Sequence, residues 1–325
     1  MKLLILGGTI FVGRHIAAEA IARGHEVTLF HRGRHNVDIF PQTERILGDR
    51  DGDLQLLHGR AWDAVIDTCG YLPRLVRAAV EQLDAARRYV FISSASVYPD
   101  MFHPHLDEHA SIATTDNPLS EDVTNETYGP FKGKCEHLVR RRFGERATIA
   151  RPGLIVGPHD PTDRFAYWPM RMARGGPVIA PGRQTAQLQF IDARDLAAWT
   201  ITAVERELGG IYNIIGPAKP LTMLDFLHAC QAATHSMSQL VWMTDEFLVE
   251  QACQPWVDLP LWVPGRDSTI RNAKAVQAHL TFHTLQDTIA ETLRWRQSGK
   301  DSELKAGLSA VREEHLLKLW YKHFR

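Results

Sequence analysis

Leu3–Leu6 is a continuous apolar run that stops at Gly7-Gly8, the pattern of a parallel strand covered on both faces. Val12, Ile16 and Ala20 then recur at helical spacing until Arg23-Gly24-His25 ends the helix. Glu26–His31 reads as a second strand, Ile46–Asp49 as a short third and Ala64–Thr68 as a fourth. Leu72, Leu75, Val76, Ala79, Val80 and Leu83 mark an amphipathic helix. Tyr89–Ser93 predicts a fifth strand, a helix follows from about Pro130 to Arg142, and Thr148–Ala150 predicts a sixth strand. Strands alternating with helices at this spacing imply an α/β fold, a Rossmann-type doubly wound parallel sheet. After Arg151 the pattern loosens into Pro- and Gly-rich loops. The expected organisation is a nucleotide-binding domain over 1–150, a smaller C-terminal substrate lobe over 151–300 with some segments returning to the core, and a helical tail over 301–325.

Composition narrows the class. Hydrophobic residues make up 44% of the 325, and 37 Lys+Arg against 38 Asp+Glu leave a net charge of −1. Balanced charge gives no global pull towards nucleic acid or a membrane surface. No apolar run reaches the ~18 residues that span a bilayer. Cys69, Cys135, Cys230 and Cys253 are scattered, with no C-x-x-C pair and no metal-binding spacing, so neither a disulfide framework nor a metal site is expected and a reducing cytoplasm fits.

Candidate chemistry begins at the first turn. Gly7-Gly8-Thr9-Ile10-Phe11-Val12-Gly13 lies between strand and helix, where backbone N–H groups and a helix dipole favour a phosphate. Gly8 and Gly13 fit the outer glycines of G-x-G-x-x-G, but Ile10 stands in place of the middle one. The second strand ends in His31-Arg32-Gly33-Arg34 with no acid for a ribose 2′-hydroxyl. Arg32 and Arg34 suit a 2′-phosphate, which favours NADP over NAD as cofactor; two solvated loop arginines are the plainer alternative. Asp49 after the third strand is a candidate for the adenine amino group. Arg50 and Cys69 complete the expected cofactor-binding set with Tyr128 and Lys132.

Tyr128 and Lys132 are four apart, hence on one helix face. Pro130 is tolerated only in a first turn, so the helix should begin near Tyr128. A phenol is ordinarily a poor base, but an adjacent ammonium favours the phenolate, fitting Tyr128 to exchange a proton with a carbonyl or carbinol oxygen. Ser94, at the carboxyl end of the fifth strand, is the candidate to hydrogen-bond that oxygen, with Ser93 and Ser96 nearby; capping a turn is the structural alternative.

These motifs together resemble the extended short-chain dehydrogenase/reductases, the NAD-dependent epimerase/dehydratase family, over nearly the whole chain to about Arg296. Ser94-Ala95-Ser96-Val97-Tyr98, the Tyr128/Lys132 pair, Arg151-Pro152 through Gly157-Pro158, Phe190–Ala197 and Ile211–Ile214 carry the resemblance with the glycine turn. It implies catalytic roles for Ser94, Tyr128 and Lys132, a place for Pro152 and Ser96 near substrate, and a possible homodimer through the Tyr128 helix. Dehydratases of the family use acids beside the catalytic hydroxyl; Ala95 and Ser96 stand there, which disfavours dehydration. Gly-Gly-Thr-x-Phe-x-Gly with a non-glycine fourth residue is similar to an atypical branch that includes chloroplast stem-loop-binding proteins.

The expected activity is NAD(P)-dependent oxidoreduction of a small molecule. The alternatives are a nucleotide-sugar epimerase with internally recycled NAD, and a non-enzymatic nucleotide- or RNA-binding module. Arg140, Arg141, Arg142 and Arg146 are the best basic face for the last, or the exposed side of one helix. In the substrate lobe, Arg164 is a candidate anion grip, with Tyr167 and Trp168 stacking on a ring; a structural loop with buried aromatics is the competing reading.

Overall fold

The computed structural model describes residues 1–115, 120–299 and 303–323. In chain order the first elements are β1 (Lys2–Leu6), α1 (Phe11–Ala22), β2 (Glu26–His31), β3 (Glu44–Leu47), β4 (Ala64–Asp67), α2 (Pro73–Gln82), β5 (Arg88–Ile92), α3 (Tyr128–Phe143) and β6 (Ala147–Pro152). They are followed by β7 (Ile155–Val156), α4 (Tyr167–Ala173), β8 (Pro177–Pro181), β9 (Gln187–Asp192), α5 (Ala193–Glu205), β10 (Gly210–Ile214) and β11 (Gly216–Thr222). The last are α6 (Met223–Ala233), β12 (Gln239–Met243), α7 (Asp245–Glu250), α8 (Ala273–Gln277), α9 (Leu285–Ser298) and α10 (Ala310–His323).

Seven strands form one sheet in the order β10-β6-β5-β4-β1-β2-β3, and every pairing in it is parallel. The doubly wound α/β architecture expected from the sequence is present. Strand alternation explains why β1 is apolar at every position from Leu3 to Leu6. Leu3 and Ile5 join the core that includes Ile16, Ala20, Leu196 and Trp199 of α1 and α5. Leu4 and Leu6 join the opposite core, with Val76 and Val80 of α2 and Cys135 and Val139 of α3. The chain builds β1, β2 and β3 towards one edge, then β4, β5, β6 and β10 towards the other. The switch lies between β1 and β4, and in open α/β sheets the crevice at that point receives ligands. Smaller sheets run β11-β9-β7 and β12-β8.

The chain divides into two units that are not consecutive in sequence. The first comprises 1–155, 190–216 and 270–282; the second comprises 156–189, 217–269 and 283–325. The segments that return to the first unit bring α5, β10 and α8, and the pattern through Thr148–Ala150 gave no hint of the seventh strand. Strand bounds also moved: β3 lies at Glu44–Leu47, β4 ends at Asp67, β5 lies at Arg88–Ile92 and β6 extends to Pro152.

The tail expected over 301–325 is part of the second unit; 301, 302, 324 and 325 lie outside the described residues. Glu313 of α10 is buried against Arg171 of α4 at 2.6 Å, and Phe247 meets Trp320 with ring centroids 4.8 Å apart. Gly307 takes φ +100°, and a Cβ there would lie 1.9 Å from the Tyr167 ring, so only glycine fits. Tyr167 and Trp168 are 1% and 0% exposed, and Trp168 Nε1 donates to the Pro260 carbonyl at 2.9 Å. Both rings are core of the second unit, where burial leaves neither face open to stack on a ligand. Arg164 instead lies over the Trp256 ring, 5.7 Å from its centroid.

Candidate functional site

The loops after β1, β2, β4 and β5 and the start of α3 carry the candidate groups. Gly7 and Gly8 take φ +104° and +96°, and Cβ atoms there would lie 2.5 Å from Thr68 Oγ1 and 2.7 Å from a Leu29 methyl. A Cβ on Gly13 would lie 2.7 Å from the Gly8 nitrogen, so the first turn of α1 is pressed against the glycine turn. Ile10 precedes α1 in extended backbone, φ −125°, which any residue adopts, with its side chain 48% exposed. No side chain caps α1 and no acid sits in its first turn. That helix start therefore keeps its positive field available to an anion.

At the end of β2, His31 is buried and its Nδ1 accepts from the Gly33 N–H at 3.1 Å. Burial, then the nearby Arg45 charge, lowers its pKa, which favours the neutral ring with its proton on Nε2. Nε2 is buried without a hydrogen-bond partner, a donor that a bound group can satisfy. Asn36 Nδ2 donates to the Thr9 carbonyl at 2.9 Å and ties the Arg32–Arg34 loop to the glycine turn. Arg32 approaches Asp49 at 3.9 Å with both side chains largely open, and Arg34 is exposed. Asp49 also accepts from the Asp51 N–H at 3.0 Å within its own turn. A glycine turn, an uncapped helix start and an unsatisfied ring nitrogen fit a dinucleotide.

Arg50 does not join that set. Its guanidinium makes two 3.0 Å bonds to Asp67, which also accepts from Tyr89 Oη at 2.9 Å and the Cys69 N–H at 3.1 Å. Burial raises the Asp67 carboxyl, but the Arg50 charge and these bonds outweigh it and hold the pKa below its ordinary value. Arg50 is thus the structural partner of a carboxylate at the end of β4. Cys69 places its thiol 3.4 Å from Arg50 and from the Leu6 carbonyl, and burial pushes its pKa up.

Helix α3 begins at Tyr128, as its proline requires. A Cβ on Gly129 would lie 2.0 Å from the Ser96 carbonyl oxygen. The missing side chain brings the first turn of α3 against the turn at 95–97. Ser94 Oγ accepts from the Ser96 N–H at 3.1 Å and donates to Ser96 Oγ at 3.1 Å. It caps that turn while staying half-buried. Ser93 is spent: its hydroxyl donates to Glu136 at 2.6 Å, and Glu136 is clamped by Arg151 at 2.6 and 2.9 Å. Pro152, next to that clamp, is buried at the end of β6.

Lys132 Nζ, buried, donates to the Ile92 carbonyl at 2.7 Å and the Gly70 carbonyl at 3.0 Å. It lies 4.5 Å from the Phe91 ring centroid and 5.1 Å from that of Tyr71. Burial is the main force that pushes its pKa down to about 8. The Tyr71 and Tyr128 rings are 6.3 Å apart. Sequence reasoning passed over Tyr71, Gly129 and Glu136. Cys69-Gly70-Tyr71 directly follows a buried strand, a position where ligand-facing residues concentrate, and that was the available signal for Tyr71.

The NAD dependent epimerase/dehydratase family matches residues 58–214. The chain is 30% identical over 253 residues to the chloroplast stem-loop binding protein of 41 kDa b of Arabidopsis thaliana, covering 71% of this chain and 63% of that protein. It therefore spans under two thirds of that relative's length. An epimerase family protein of Bos taurus is 26% identical over 249 residues, covering 72% of this chain and 80% of the relative. The fold is similar to that of UDP-glucuronic acid 4-epimerase from Bacillus cereus in complex with NAD, with TM-score 0.70 at 18% identity over 92% of this chain and 100% of the other. Among the described residues no helix is long and apolar enough to cross a membrane, and no cluster of three His, Cys, Asp or Glu is placed to hold a metal.

Proposed function

We propose that the protein, whose residues 58–214 match the NAD dependent epimerase/dehydratase family, is an NAD(P)-dependent oxidoreductase acting on a carbonyl/carbinol of a small molecule. The observation that carries this reading is the Lys132 ammonium, held on two backbone carbonyls beside Tyr128 at the carboxyl edge of the sheet. The glycine turn and the start of α1 would hold the pyrophosphate, and His31, Arg32, Arg34 and Asp49 the adenosine end. When bound, the nicotinamide supplies hydride transfer to or from carbon. The chain's own part is the proton. Lys132 stabilises the phenolate of Tyr128, which gives or takes the proton of the substrate oxygen. Ser94 donates to that oxygen once it turns from Ser96.

Absence of an acid at the end of β2, with Arg32 and Arg34 open, supports preference for NADP. The Arg32–Asp49 contact is a loose surface pair, so turning Arg32 to a phosphate costs little. Preference for NADP, a homodimer through α3 and a cytoplasmic setting are parts of the same proposal. Net reduction is favoured over internal recycling, because a recycling epimerase retains its nucleotide, whereas surface-loop arginines suit exchangeable binding. The RNA-binding reading finds support in the chloroplast relative's name. Against it, Arg142 pairs with Asp84 and Arg146 donates to the Ala86 carbonyl, so half of that basic face is already engaged.

The test begins by denaturing purified protein and identifying any released nucleotide by mass spectrometry, then titrating stripped protein with NADPH and NADH. Exchangeable binding with NADPH preferred supports the proposal. Tightly retained NAD⁺ turns it to the recycling epimerase, and binding of neither nucleotide refutes it.

A further inference from the structure

Lys132 is an unusual buried cation because only one of the two rings over it belongs to the core. Phe91 is fully buried, whereas Tyr71 is 47% exposed and stands in the loop that leaves β4. That loop also supplies the Gly70 carbonyl on which Nζ rests. Tyr71 is therefore the cover between the ammonium and solvent, and its ring also neighbours that of Tyr128. We propose that Tyr71 is a positioning residue of the Tyr128–Lys132 pair, a removable lid that excludes water from the ammonium and so sets how strongly its charge acts on the Tyr128 hydroxyl.

Coulomb attraction in a dry site is several-fold stronger than the same pair in water. A neutral aromatic cover keeps the site dry and adds a cation–π attraction of about 0.5–2 kcal/mol. Tyr71 is suited to remain neutral. Although nearly half of it is open, crowding by protein, and then the charge on an ionised Tyr128, raise its pKa to about 12. Other titratable groups act on Lys132 from the elements around it. Cys135 on α3, Asp67 at the end of β4 and Cys69 just after it favour the charged form, and Arg50 opposes it. Asp67 and Arg50 are bonded to each other and largely cancel. Burial is what remains to be changed, and Tyr71 is the half-open part of it.

This inference rests on the proposed oxidoreductase reading only for its consequence, so its primary test is read without turnover. The side-chain Nζ resonance of Lys132, assigned by its loss in Lys132→Arg, is titrated by NMR in cofactor-free protein. Tyr71→Ala should raise the midpoint from about 8 by about one pH unit, because water reaches the ammonium. Tyr71→Phe, which keeps the ring, should leave it within about 0.3 unit. Tyr71→Leu keeps the site dry but removes the π face that favours the ammonium, so it should lower the midpoint below the parent value, and it serves if the alanine variant is poorly folded. Midpoints for Tyr71→Ala and Tyr71→Leu that match the parent would overturn the proposal. In turnover, the alkaline limb of kcat/KM should follow the same order. A uniform loss of rate with an unmoved limb also refutes the coupling to Tyr128, and absence of turnover in every form refutes the oxidoreductase reading alone.

Discussion

Two buried cations stand close together at the carboxyl edge of the same sheet, and they are handled in opposite ways. Arg50 is neutralised by Asp67 through two 3.0 Å bonds, and Tyr89 and the Cys69 amide complete the carboxylate's shell. Among the described residues no carboxylate lies within ion-pair distance of Lys132; its ammonium rests on two carbonyls and two rings. Burial opposes both charges, but only Arg50 has a full counter-charge to offset it. The Arg50 pair is consequently a structural rivet, and its field beyond Asp67 is small. Lys132 keeps an uncompensated field that a neighbouring phenol can feel. A sequence presents both simply as a basic residue near the end of a strand.

The sharpest way to break this comparison is at the proposed catalytic pair. Tyr128→Phe should cut turnover by about 10³-fold while leaving cofactor affinity and melting temperature nearly unchanged. Retained activity would remove Tyr128 from the mechanism. Asp67→Asn should do the reverse, costing about 3–5 kcal/mol in denaturant unfolding by leaving Arg50 buried and unpaired. A stability loss below about 1 kcal/mol would mean that Arg50 finds water instead. Gly129→Ala should cost about 3 kcal/mol and also lower activity, because the new Cβ must push α3 away from the Ser96 carbonyl. An unchanged crystal structure of that variant would contradict the packing described.

Smaller effects sharpen the picture. The Arg32→Ala/Arg34→Ala double variant should weaken NADPH binding by about tenfold, near 1.4 kcal/mol, and leave NADH binding unaltered. Equal effects on both nucleotides would remove the 2′-phosphate argument. pH separates the two cations by sign. The Asp67 pKa is lowered in the folded state, so its stabilisation is present above the ordinary carboxylate range and is lost as pH falls through the folded value. The Lys132 pKa is lowered to about 8 from 10.5, so the folded state releases this proton first. Its destabilising contribution is present below about 8 and disappears as pH rises from there towards 10.5. Activity should therefore fall above pH 8 over the same interval in which stability gains against Lys132→Met, measured by urea unfolding of both proteins.

Some of the molecule is plain in the chain. Continuous apolar runs such as Leu3–Leu6 can be buried only between two layers, so they announce parallel strands, and Pro130 dictates where α3 begins. The glycine turn and the Tyr128/Lys132 spacing are local devices of a few residues, and local pattern carries them. Tyr167 and Trp168 show the limit: an aromatic pair in a Pro-rich segment reads equally as ligand platform or core, and only the packing of Gly307 and Pro260 around them settles it as core.

What the sequence by itself determined was the alternation of strands and helices, the glycine turn between the first two, and the helix that puts Tyr128 and Lys132 on one face. These follow from periodicity and backbone sterics, which act over one or two turns of chain. What only the tertiary structure decided was which cation is paired with a carboxylate and which rests on backbone carbonyls. Arg50 meets Asp67 across 17 residues, Lys132 meets Gly70 across 62, and the chain re-enters the first unit to add β10 to its sheet and again to add α8. Such pairings depend on where distant segments are brought by burial of their apolar neighbours, and a charge acquires its role from what burial places beside it.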